Sequence, residues 1–325
     1  MSGENNSNKI LFVALGVVLL AAIFVISSRF SSDTGFFSPF SFIRPDAELS
    51  VLVVGDIMLD RNVRNKIDKD GFDSFFAGVK DLVSDADLAV GNLEGPFTTY
   101  PSVTASLINK DLTFTFDPKL APKLATLGFD ILGLANNHTQ NFGAEGLAMT
   151  RNYIRDAGMF YYGDPDNTVE TSIITAKNSI SIGFVGFHEF GYKNFDHILS
   201  EIDSLRKQTD VLIVSPHWGV EYQKEPTEKM QNWAHQFIDH GADAVIGAHP
   251  HVVGNIEEYK GKKIYYSLGN FVFDQYFSEE TMNGMAIKMN VEKDSNGKIS
   301  LDYKLIPIRA DKKGTSVSTS TLPFH

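Results

Sequence analysis

Five short apolar runs in this 325-residue chain end in side chains that could hold a metal ion. LSVLVVGD (49–56) ends in Asp56. DLAVGN (87–92) ends in Asn92, with Glu94 two residues beyond. DILGLANN (130–137) ends in Asn136 and Asn137, followed by His138. VLIVSPHW (211–218) carries His217 near its end, and DAVIGAH (243–249) closes on His249, with His251 just past Pro250. Four of the nine histidines occupy such ends. There is no cysteine, so neither a thiolate site nor a disulfide can form. A donor set of imidazole, carboxylate and amide oxygen suits one or two divalent ions of the Mn, Zn, Fe or Mg kind. Such ions activate water and hold the oxygens of a phosphate or carboxyl group.

Each residue also has a plainer reading. Asp56 could cap a following segment, Asn136 and Asn137 could hold a turn, and His217 could be a hydrogen-bonded core histidine. His249 and His251 could line the rim of a turn. These readings would have to hold at five strand ends at once, which favours the metal. His188 stands near another strand end but has no ligand-type residues around it in sequence, and is read as structural. His235 and His240 fall in a helical pattern and are read as surface or packing residues. Pro250 fixes its own φ and biases His249 toward an extended backbone.

The elements that must position these groups alternate along the chain. Near-continuous apolar runs, including SIGFVGF (181–187) and KIYYSLGN (263–270), suit strands covered on both faces. Between them, FDSFFAGVKDLVSD, LAPKLATLGF, GAEGLAMTRNYIRDAG and TEKMQNWAHQFIDHGAD space apolar residues by three and four. The pattern predicts an α/β fold with sites beyond the carboxyl ends of the strands. Toward the C-terminus, strands at 263–268, 283–291 and 299–307 follow one another and are expected to form a second, antiparallel sheet packed on the first.

Residues 10–27 form an uncharged apolar run, close to the ~20 residues of a spanning helix. They predict one N-terminal transmembrane helix, preceded by cytoplasmic residues 1–9 and followed by a linker at 28–48. The soluble domain (49–308) is then extracytoplasmic on a single-pass cell-membrane protein, and 309–325 is a flexible tail. Flanking charge does not set the orientation, with Lys9 before and Arg29 and Arg44 after. The net charge of −11, with no long basic run, argues against nucleic acid as a partner.

GDIMLDR (55–61), GNLEGP (91–96), ANNHTQNFGAEGL (135–147), PHWGVEY (216–222), GAHPHV (247–252) and SLGNFVFDQ (267–275) together resemble the CapA family, associated with poly-γ-glutamate capsule synthesis. That family is similar in turn to the calcineurin-like metallophosphoesterases, which implies a four-layer αββα sandwich. The resemblance implies that Asp56 ligates a first metal, that Asn137, His217 and His249 ligate a second, and that His251 returns to the first. His138 would be the general acid or a phosphate-contacting histidine. Two positions depart from the pattern. The superfamily's histidine two residues after the first aspartate is Met58 here, a poor ligand for a hard ion. The bridging aspartate reads Asn92, with Glu94 placed to replace it. The first site is then one ligand short, and the second is expected to be the better held. Asn92, Glu221, Tyr222 and Asn270 are expected to bind substrate or to orient ligands from behind.

Three functions fit. One is a metal-dependent hydrolase of phosphoesterase type in cell-envelope polymer metabolism. Another is a non-catalytic partner of a polymer synthase or export complex that grips an anionic polymer. The last is hydrolysis or transfer of the γ-glutamyl polymer itself.

Overall fold

The computed structural model describes residues 47–104, 112–191 and 194–319. The apolar run at 10–27 and its flanks up to residue 46 lie outside them. Among the described residues, no helix is long and apolar enough to cross a membrane.

Two sheets form the centre. The first begins with parallel neighbours β1 (Ala47–Ile57), β2 (Leu88–Leu93), β3 (Ile131–Gly133) and β4 (Phe160–Tyr162). The second contains β5 (Ser172–Lys177), β6 (Ile180–His188), β7 (Val211–His217), β8 (Ala244–Ile246), β9 (Ile256–Tyr259) and β10 (Lys262–Tyr265), in the order β5-β6-β7-β8-β10-β9. The chain then returns to the first sheet. There β11 (Asn270–Val272) runs parallel to the end of β1, and β12 (Asn283–Lys293), β13 (Ile299–Asp311) and β14 (Gly314–Val317) add antiparallel strands.

Alternation along β1 explains the layering. Leu49, Val51 and Val53 point into a core shared with Ile182, Phe184, Ile213 and Ile246 of the second sheet. Leu52 and Val54 point the other way, onto apolar residues of the helices Arg61–Asp70, Leu120–Leu127 and Gly143–Asp156. A third core joins Val185, Leu212 and Val214 to the helices Phe195–Arg206 and Glu228–Asp239. The last of these helices starts at Thr227, whose hydroxyl accepts the Met230 N–H at 3.2 Å. Its buried face is Met230, Ala234, Phe237 and Ile238, at the spacing of an amphipathic helix.

The C-terminal strands differ from the expectation of a separate sheet. Segments 283–293 and 299–311 extend the first sheet, and the second is built from β5 to β10. The cause is β1, which is buried on both faces and needs a hydrogen-bonding partner at each edge. β2 takes one edge, and β12 takes the other from Ala47 to Val54. The expected tail is also partly structured. Gly314–Val317 pairs with β13, and the buried Thr315 donates its hydroxyl to the Phe271 carbonyl at 2.8 Å.

Candidate metal centre

The ends of β1, β2, β3, β7 and β8, drawn from both sheets, converge with the start of β11. Close approach of β1 and β11 requires glycine at 55, where a Cβ would stand 1.9 Å from the Gly269 carbonyl oxygen. That contact sets Asp56 opposite Asn270.

Two clusters result. In the acidic one, ligand atoms of Asp56, Glu94 and His251 lie within 4.8 Å of one another, all buried. His251 Nδ1 is 3.2 Å from Asp56 Oδ2 and its Nε2 is 3.6 Å from Glu94 Oε1. Asn270 Oδ1 also meets His251 Nδ1, at 3.0 Å, and fixes the ring from behind. Glu94 is fully buried, yet neither carboxylate oxygen has a hydrogen-bond partner. Burial, with the neighbouring Asp56 charge adding to it, pushes its carboxyl well above the usual range. A buried, unpartnered carboxylate beside a second carboxylate and an imidazole is a donor set that a divalent cation fits.

The neutral cluster joins Asn137, His217 and His249. His217 Nε2 is 2.8 Å from Asn137 Oδ1 and 3.2 Å from His249 Nδ1. Burial and the neighbouring histidines hold His217 well below the usual imidazole value, and burial lowers His249 to about 4. Both rings are therefore neutral at physiological pH, the form that can ligate. Asn92 ties the clusters together, with Nδ2 2.8 Å from Asp56 Oδ1 and 3.3 Å from His217 Nδ1. Its own Oδ1 accepts from Asn136 Nδ2 at 3.0 Å. Asn136 holds a turn as well, its Oδ1 accepting the backbone N–H of His138 and Thr139. Both the turn reading and the site reading apply to it.

His138 Nε2 stands 3.9 Å from Glu94 Oε1, facing the acidic cluster without bonding to it. Its ring packs on Phe114 at 4.4 Å, and Asn141 Nδ2 meets its Nδ1 at 3.2 Å. Burial lowers it to about 4. No hydrogen bond joins Glu221 or Tyr222 to His217. Tyr222 is half-exposed at the rim, where its hydroxyl accepts from Gln275 Nε2 at 3.3 Å, and the Glu221 charge acts on it and on Glu94.

Three other histidines keep their structural readings. His188 Nδ1 meets the Pro165 carbonyl at 2.7 Å, His235 pairs with Glu257, and His240 with Asp203. Met58 is buried in the helix-side core, and its sulfur accepts the Asp60 N–H at 3.1 Å. The backbone of His249 departs from the extended form expected before proline. Its φ is 99° and that of His251 is 59°, both on the left-handed side. Strain of this kind persists where surrounding contacts hold it, and Asp56 Oδ2 does so by accepting the His249 N–H at 3.3 Å. Gln275, Asp274 and Arg61 also border the site. The motifs SLGNFVFDQ and GDIMLDR contained them without marking them as site residues.

Comparison with known proteins places this geometry. The structure is similar to that of a novel phosphatase from Mycoplasma pneumoniae, with a TM-score of 0.51 and 15% identity, covering 81% of this chain and 95% of that one. It is similar also to a putative 5′-nucleotidase from Staphylococcus aureus (TM-score 0.50, 15% identity, 85% of this chain and 56% of that one). In sequence, the chain is 28% identical to the capsule biosynthesis protein CapA of Bacillus anthracis over 96% of its length and 79% of that protein's. It is 27% identical to the PGA biosynthesis protein CapA of Bacillus subtilis over 92% and 81%. Residues 50–275 match the family of the bacterial capsule synthesis protein PGA_cap. The two-sheet α/β fold is thus shared with these phosphatase and nucleotidase structures, and the chain belongs to the PGA_cap family of bacterial capsule synthesis proteins.

Proposed function

We propose that this is a membrane-anchored, extracytoplasmic CapA-type protein of capsule or poly-γ-glutamate synthesis, with a metal-dependent hydrolase site of phosphoesterase type. The observation that carries the site is the buried carboxylate of Glu94, unpartnered and facing His251 and His138. Asp56, Glu94 and His251 would hold one ion, and Asn137, His217 and His249 a second. A bound divalent ion supplies a water that ionises near neutral pH and positive charge for the oxygens of the scissile group.

The chain's own groups do the rest. Asn270 fixes the His251 ring, and Asn92 holds Asp56 and His217 in one frame. Asn141 meets His138 at Nδ1, and His138 Nε2 faces Glu94 across the cleft. As imidazolium, His138 would deliver a proton to a departing oxygen and return to neutral imidazole. The apolar run at 10–27 is the proposed anchor, and protease accessibility of the domain on intact cells tests the orientation.

Full-length protein in detergent, supplied with Mn²⁺ or Zn²⁺, is expected to hydrolyse bis(p-nitrophenyl) phosphate. His138→Ala should lower kcat by about 100- to 10,000-fold with metal content unchanged. Hydrolysis that survives His138→Ala and Asn137→Ala at the wild-type rate would sink the catalytic reading.

The second reading rests on Met58, which is turned into the core and leaves the acidic cluster one donor short. On that reading the protein is a metal-bearing partner of a synthase or exporter that grips an anionic polymer. It would retain polyglutamate only when metal is present and hydrolyse nothing.

A further inference from the structure

Four residues with a left-handed backbone that disfavours any side chain border the cleft: His249, His251, Tyr222 (φ 66°) and Arg61 (φ 56°). The first three belong to the site already described. Arg61 has no assigned task.

Its surroundings give it one. Arg61 Nε is 3.2 Å from Asp274 Oδ2, whose side chain is fully buried. The same oxygen accepts from Asn62 at both the backbone N–H (3.3 Å) and Nδ2 (3.0 Å), so the carboxylate cannot swing away. The guanidinium lies over the Phe114 ring, its carbon 5.9 Å from the centroid. The same ring carries His138 at 4.4 Å. It also meets Phe273, which packs on His251 at 4.7 Å. Arg61 and His138 thus share the Phe114 ring, and Phe273 links that ring to His251.

The short segment 270–275 supplies three of the contacts around the cleft. Asn270 holds His251, Gln275 reaches Tyr222, and Asp274 holds Arg61. The two terminal nitrogens of Arg61 have no partner among the described residues, and 29% of its side chain is exposed. A guanidinium held at Nε keeps its planar fork of terminal donors free, a shape that matches two oxygens of a phosphate or carboxylate. The protein carries a net charge of −11 and Asp56, Glu94 and Glu221 surround the cleft, so an anionic ligand needs such a local cation.

We propose that Arg61, positioned by Asp274, is a substrate-binding residue that grips an oxyanion group, phosphate or carboxylate, at the mouth of the metal cleft. The proposal rests on the metal-site reading for what lies beside that oxyanion, but the contact with Arg61 can be measured apart from it.

The test is calorimetric titration of the full-length protein in detergent with inorganic phosphate and, separately, glutarate, with Mn²⁺ and with chelator. Metal content is measured in parallel. Wild type is expected to bind at least one of the two anions in the Mn²⁺ sample, and the preferred anion identifies the source. Arg61→Gln should weaken that binding roughly 10- to 100-fold with metal content unchanged. Arg61→Lys should lose less, because it keeps the charge and loses the fork. Asp274→Asn should weaken binding by less than Arg61→Gln does. Equal affinity in wild type and a folded Arg61→Gln overturns the proposal, as does wild type that binds neither anion. Failure of the metal reading looks different, as no uptake of Mn²⁺ by wild type.

Discussion

The two donor clusters of the cleft solve the same problem in opposite ways. In the neutral cluster, His217 Nε2 meets Asn137 Oδ1 at 2.8 Å and His249 Nδ1 at 3.2 Å, so these neutral groups contact one another without any ion. In the acidic cluster, both oxygens of Glu94 are buried and unpartnered, and Asp56 adds a second carboxylate. The neutral set is stable as it stands. The acidic set stores an electrostatic cost that a cation relieves, because Glu94 beside Asp56 must either retain a proton or be buried as an unpaired charge. Counting lost ligands in the sequence pointed the other way, toward the neutral site as the stronger. Charge and burial make the acidic cluster the one that most needs an ion.

Substitutions can break this contrast. The largest effect is expected at the carboxylate. Glu94→Gln should lower affinity for the ion at the acidic cluster by more than the 10- to 100-fold that losing an outer partner costs. Equilibrium dialysis with Mn²⁺ checks it. His217→Ala combined with His249→Ala should remove the ion of the neutral cluster and leave that of the acidic one, which the same dialysis counts. If both ions vanish together, the clusters are one site and the contrast fails. Asn270→Ala should weaken only the ion at the acidic cluster, about 10- to 100-fold, since it touches His251 and no residue of the neutral set.

The smallest effect is on pH dependence, read from thermal melts in chelator. Glu94 has a folded-state pKa above its unfolded value, so the folded state binds more protons there, and stability falls as pH rises above about 4.5. His138 and His249 sit at about 4 in the folded state against 6.5 unfolded, so the unfolded chain binds more protons between those values. Their contribution is present above 6.5 and is lost as pH falls toward about 4. Saturating Mn²⁺ should flatten the high-pH loss, because it compensates the Glu94 charge.

The site was legible in the sequence because its residues share one local signature, a polar group just past an apolar strand. Asp56, Glu94, Asn137, His217, His249 and His251 all carry it, and all come together. What surrounds them carries no such mark. Asp274 and Gln275 follow a run too short for periodicity, the three-residue β11, and matter only because that strand lies along β1. The helix Phe195–Arg206 has apolar residues at 195, 198, 199, 202 and 205, a periodic signal that the sequence carries in full. The placement of β12 and β13 was not available, since strand partners far apart in sequence are chosen by which edge is open. Met58 shows a subtler limit. The sequence revealed that a ligand was missing, and only the fold shows the side chain withdrawn into the core, bonded to Asp60.

The central claim is that Glu94 is a buried acid whose ionisation awaits a cation, and melting of wild type and Glu94→Gln, each in chelator and in saturating Mn²⁺, tests it most directly. In chelator the variant should be the more stable, by about 2–4 kcal/mol near neutral pH, because Gln has no carboxyl that must either retain a proton or bury a charge. In Mn²⁺ the order should reverse, since only wild type gains the binding energy at this cluster. A wild type that already melts above Glu94→Gln in chelator, or one that Mn²⁺ does not raise, would contradict the account.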